Sequence, residues 1–185
     1  MSTTPVAINV KLNARLQPEH RLQLFEDPLE AMLEAAGVGE IMGGGTALTE
    51  EGEVEYGDLE IQLHDAAALP TVIELLEQLG APKGSLIQRE GEPDVSFGIT
   101  EGLGLYLNGT DLPDEVYQNS DVNELIDRLG DSLGDRGSMY SYWEGPTETA
   151  LYFYGPSADE MKRLMADVLG THPLAQRCRV VGLTS

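Results

Sequence analysis

The sequence predicts an α+β fold made twice over: two tandem ferredoxin-like units of βαββαβ order, residues 1–92 and 93–185. Three observations predict it. Segments with the two-residue period of strands and segments with helical spacing follow one another as strand, helix, strand, strand, helix, strand in each half. Leu12-Asn13 followed by Pro18 is matched by Leu107-Asn108 followed by Pro113. Leu79-Gly80 and Leu169-Gly170, ninety positions apart, end equivalent helices.

The first strand is Val6–Leu12, with Val6, Ile8, Val10 and Leu12 inward. Asp27-Pro28 is expected to open a helix, Asp27 as N-cap and Pro28 at the first helical position, with Leu29, Met32, Leu33 and Ala36 on one stripe and Gly37 as the stop. Gly43–Leu48 reads as a turn entering a short strand, and Leu59–His64 as a strand with Leu59, Ile61 and Leu63 inward. A helix over 69–79 carries Val72, Leu75, Leu76 and Leu79, and Ser85–Gln88 closes the unit. In the second half Leu103, Leu105 and Leu107 mark a strand, and Asp121 caps a helix with Leu125, Ile126 and Leu129 inward. The Met139–Tyr154 stretch (MYSYWEGPTETALYFY) is a hairpin turning at Gly145-Pro146. Ser157–Leu169 is a helix, and Arg177–Leu183 the last strand.

A four-stranded antiparallel sheet with two helices on one face leaves its other face to water, to the sister unit or to a partner. In the first unit the outward positions are Asn9, Lys11, Glu60, Gln62 and His64, an ordinary wet face. In the second they are Tyr106, Tyr140, Tyr142, Tyr152 and Tyr154, if Met139, Ser141 and Trp143 point to the core. Tyrosine joins a large apolar body to a polar tip with few torsions to freeze, which suits recognition. It is also a strong strand former, so a face closed by the sister unit explains the same pattern. A single bulge would exchange the two faces.

The formal charge is −21, carried by both halves: 17 acids and 5 bases in residues 1–92, 15 acids and 6 bases in residues 93–185. Such a field repels nucleic acid and anionic membranes and speeds encounter with a basic protein. The segment Thr49–Glu60 sets Glu50, Glu51, Glu53, Glu55, Asp58 and Glu60 around Tyr56. It reads either as a solvated hairpin loop or as an acidic finger that docks into a basic site.

No catalytic motif stands out. His20, His64 and His172 lack ligand spacing, and Asp127, Asp131 and Asp135 share a helical spacing that Gly130 and Gly134 interrupt. The chain has no calcium-loop pattern, and the Gly43-Gly44-Gly45-Thr46 run lacks the lysine and the following helix of a phosphate loop. Neither a metal nor a cofactor is expected. The single cysteine, Cys178, excludes an internal disulfide framework. With no basic-then-apolar leader and no membrane-length apolar run, the expected compartment is the cytosol.

A small, strongly acidic chain with an aromatic face and no catalytic motif resembles, in general type, bacterial immunity proteins that neutralise toxin enzymes. The resemblance is one of composition and architecture, and no family motif carries it. It implies a non-enzymatic binding protein that occludes a basic partner, an enzyme or a toxin such as a nuclease. The expected partner-binding residues are Tyr106, Tyr140, Tyr142, Tyr152 and Tyr154, with Glu50, Glu51, Glu53, Glu55, Tyr56 and Asp58. The competing expectation is a sensor whose paired ferredoxin-like units hold a small ligand at their junction.

Overall fold

The alternation of the first strand is realised in the computed structural model, which describes residues 3–183. In β1 (Val6–Leu12), Ile8, Val10 and Leu12 are buried while Ala7, Asn9 and Lys11 keep solvent contact. The helix that follows starts nine residues earlier than Asp27. It runs through α1 (Pro18–Arg21), a π-helical turn (Leu22–Glu26) and α2 (Asp27–Ala36). Asp27 has helical torsions and caps nothing. The reason lies in Pro28, which brings no N–H and whose ring crowds the carbonyl four residues back. Widening the preceding turn to π geometry, with the Asp27 N–H donating to the Leu22 carbonyl, carries the helix past the proline. Gly37 takes a left-handed conformation and ends α2, as the sequence indicates.

The next two strands are longer than the sequence suggests. β2 (Gly39–Leu48) and β3 (Val54–Leu63) form a hairpin of two ten-residue strands, and the glycine run lies inside β2 instead of forming a turn. Gly44 is required there: a Cβ would stand 2.8 Å from the Asp58 carbonyl oxygen and 3.1 Å from Glu26 Oε1. The Arg21 side chain, buried beside it, donates to Glu26 Oε1 (2.6 Å), to the Gly45 carbonyl (2.7 Å) and to Thr46 Oγ1. Gly44 therefore makes room for a largely buried ion pair at the sheet margin. α3 (Leu69–Gln78), β4 (Ser85–Gln88) and β5 (Val95–Phe97) complete this unit.

The strand order is β2-β3-β1-β4-β5, antiparallel throughout. Without β5 it is the ferredoxin-like order. The strand β5 moves the boundary between units: the chain divides between Thr100 and Glu101, not after residue 92. Residues 93–100 are tied to the first unit because β5 pairs with β4 and Thr100 donates its hydroxyl to the Gly80 carbonyl.

The second unit consists of β6 (Glu101–Asn108), α4 (Asp114–Asn119), α5 (Val122–Leu133), β7 (Ser138–Glu144), β8 (Glu148–Gly155), α6 (Ala158–Thr171) and β9 (Arg179–Gly182). Its order, β7-β8-β6-β9, repeats the arrangement of the first four strands, so the fold is α+β with two ferredoxin-like units. Asp121 caps α5 by accepting from the Asn123 N–H, and Ser157 caps α6 by accepting from the Glu160 N–H. Leu103, Leu105, Leu151 and Phe153 form one core with Leu125, Leu129, Met161 and Met165. Among the described residues no helix is long and apolar enough to cross a membrane.

Candidate functional site

The five tyrosines expected on an open face separate once the register is known. Facing residues across β6 and β8 pair as Gly102 with Tyr154, Gly104 with Tyr152 and Tyr106 with Ala150. These stand on the side opposite the leucine core, as the alternation predicts. The register between β7 and β8 slips between Met139 and Ser141, a bulge that leaves Tyr140 as the extra residue. Beyond it the faces are exchanged. Ser141 and Trp143 join the tyrosine side, opposite Tyr152 and Ala150, while Tyr142 lands opposite Leu151 on the helix side of the sheet. Tyr142 is thus removed from the aromatic face, and Ser141 and Trp143 from the core.

Exposure corrects the expectation further. Tyr106, Tyr152 and Tyr154 are buried, Tyr140 is half-buried, and Tyr142, at 37% exposure, is the most open of the five. The rings pack on one another: Tyr140 stacks on Tyr154 at 4.7 Å, and Tyr106 meets Tyr152 edge-to-face at 6.4 Å. Gly102 and Gly104 supply the floor, where a Cβ would strike Tyr154 or Tyr106 and the Leu183 side chain. Burial pushes the Tyr140 phenol above its ordinary value. No buried side-chain polar atom among the described residues lacks a hydrogen-bond partner. The aromatic face is therefore packing, not an open docking surface.

At its margin stands a charged clamp. The Arg179 guanidinium lies 4.5 Å over the Tyr106 ring and donates two parallel hydrogen bonds, of 2.8 and 2.9 Å, to the Glu148 carboxylate. Those bonds hold the Glu148 carboxyl below its ordinary range, against a smaller opposing effect of desolvation.

The acidic stretch is less a loop than expected, because strand β3 begins at Val54. Glu50, Glu51 and Glu55 are exposed around the hairpin tip. The others serve the fold: Glu53 pairs with Arg15 at 2.5 Å, Asp58 accepts from Asn9 Nδ2 at 3.0 Å, and Tyr56 lies under Lys11 Nζ at 3.9 Å. Asp127 and Asp131 are exposed on α5, which ends before Asp135 at Gly134, a glycine of positive φ. Among the described residues, no three His, Cys, Asp or Glu side chains come together as a metal site. Cys178 precedes β9 instead of lying within it, and burial raises its thiol pKa, so the thiolate is disfavoured.

Sequence reasoning missed a groove on the outer face of the first sheet, with a cavity volume of about 560 Å³. Its floor follows one row of the sheet: Gly43 opposite Glu60, Glu60 opposite Asn9, Asn9 opposite Gln88. Met42, displaced by the β2 bulge, forms one wall, and Arg89, Glu90 and Asp94 of the β4–β5 connection form the other. The alternation marked Asn9, Glu60 and Gln62 as outward. The walls come from a bulge and from a fifth strand that the repeat pattern does not contain.

No protein-family model matches the chain, and no curated protein matches it. Solved structures similar to it include an unknown protein from Galdieria sulphuraria, at 11% identity over 96% of both chains with a TM-score of 0.30. The first two RRM domains of the yeast poly(U)-binding protein match at 13% identity over 97% of this chain and 99% of that one, with a TM-score of 0.26. A mutant chlorite dismutase from Candidatus Nitrospira defluvii matches at 8% identity over 97% and 91%, with a TM-score of 0.32. At such scores these likenesses carry no functional argument.

Proposed function

We propose that this chain is a non-enzymatic, cytoplasmic acidic binding protein that occludes a basic partner protein, an enzyme or toxin, in the manner of an immunity protein. The observation that carries the reading is the uncompensated charge. Arg15, Arg21, Arg89, Arg136 and Arg179 are each engaged by a carboxylate of the same fold, in a chain with 32 acids and 11 bases. Most of the carboxylates left over are exposed, and Glu50, Glu51 and Glu55 at the β2–β3 tip are carried on two long paired strands. With three of the tyrosines buried, Glu50, Glu51 and Glu55 become the contact residues of choice.

The mechanism is electrostatic steering followed by coverage. A field of this sign concentrates a basic surface and raises its association rate by about 10- to 1,000-fold. Immobilised chain incubated with lysate of its own host should retain a basic protein that elutes with salt. The combined Glu50→Lys, Glu51→Lys, Glu55→Lys variant should lose it. With the captured protein in hand, the association rate should fall at least about tenfold between ~0.02 and ~0.5 M salt. Recovery of the bait alone, or capture unchanged by the triple reversal, defeats this reading.

A further inference from the structure

We infer that the groove on the outer face of the first sheet binds a short aliphatic polyamine. The inference rests on the groove alone and is independent of the protein partner proposed above.

The lining combines charged, polar and apolar groups. Its ionisable members are Glu60, Glu90 and Asp94 against Arg89, and Arg89 is drawn toward Glu92 at 3.8 Å. None of those three carboxylates makes a hydrogen bond or ion pair elsewhere in the described structure, whereas Asp58 and Glu53 on the same hairpin do. The groove is thus a negatively charged concavity whose acids are not spent on the fold. Gln62 is likewise without a side-chain partner, and Gln88 uses its oxygen to accept from Asn9, leaving its amide hydrogens available. Met42, 59% exposed, and Ala7 supply apolar contact.

The spread of the carboxylates decides between cations. A metal ion needs its oxygens gathered about one point, and no such gathering exists among the described residues. Glu60 stands on β3 and Gln88 on β4, two strand spacings away, which is roughly 10 Å. The remaining acids lie beyond Gln88 in the turn toward β5. Anionic points separated by the Asn9 and Gln88 amides, with Met42 and Ala7 alongside, fit ammonium groups joined by methylenes. The cavity falls within the range of about 300–1,000 Å³ usual for small-molecule sites.

The test is calorimetric titration of the full chain with spermidine at near-physiological salt, with Mg²⁺ as a control for charge alone. Saturable binding of one spermidine per chain is expected. Glu60→Gln and Asp94→Asn should each weaken it about tenfold, the loss of one charge-assisted hydrogen bond. Glu50→Gln, at the distant hairpin tip, should leave it unchanged. In parallel, the Met42 methyl resonance should shift on addition of spermidine. An unmoved Met42 signal, equal binding of Mg²⁺, or an equal loss in the Glu50→Gln variant would each show a diffuse counter-ion atmosphere and overturn the proposal.

Discussion

Replacing Tyr152 by alanine tests whether the aromatic face is structural. Tyr152 has no exposed surface, stands over Gly104 in the ladder and meets Tyr106 edge-to-face. Truncating a fully buried aromatic costs about 3–5 kcal/mol, whereas Tyr152→Phe, which removes only the hydroxyl, should cost about 1 kcal/mol. A domain is stable by only about 5–15 kcal/mol in total, so the alanine variant approaches the limit of folding. The assay is urea unfolding followed through Trp143, the chain's single tryptophan, which lies in β7 and reports on the second unit. With a slope of about 2 kcal/mol per molar urea, a loss of ~4 kcal/mol lowers the midpoint by about 2 M. Tyr142→Ala is the internal control: on the other face and partly exposed, it should cost under about 1 kcal/mol. If Tyr152→Ala shifts the midpoint no further than Tyr142→Ala, the rings are not core and the packing argument fails.

Two further outcomes follow from the ion pairs. Arg21→Met should destabilise the first unit by about 3 kcal/mol, because the Glu26 carboxylate and the Gly45 carbonyl lose their donor in a nearly closed site; thermal unfolding by circular dichroism reads it. Arg179→Met should lower second-unit stability at neutral pH, where Glu148 is ionised and held below its ordinary pKa. That contribution is complete above the ordinary carboxylate range and disappears as pH falls through the depressed value. The gap between the urea midpoints of wild type and variant should therefore be largest at pH 7 and narrow in acid to what the lost Tyr106 ring contact leaves; a constant gap would exclude the Glu148 linkage.

The sequence by itself determined the architecture and the charge. Period-two alternation in Val6–Leu12 and in Leu103–Leu107, the cap at Asp121 and the stop at Gly37 are local: each depends on torsions and hydrogen bonds within a few residues. The repeated element order then leaves one economical way to fold each half, because strands and amphipathic helices of that sequence must bury one face. Charge needs no structure at all.

Tertiary structure decided what a local pattern cannot carry. Alternation says which residues share a face only until a residue is inserted, and the bulge at Tyr140 exchanges the faces of everything up to Glu144. Nor does alternation tell a wet face from a closed one: β1 and β8 both alternate, yet β8 is buried on both sides from Ala150 onward. The groove needed the β2 bulge and the β5 pairing together, a convergence of residues more than forty positions apart. Sequence period is a property of one chain segment, whereas exposure is a property of whatever the rest of the chain places beside it.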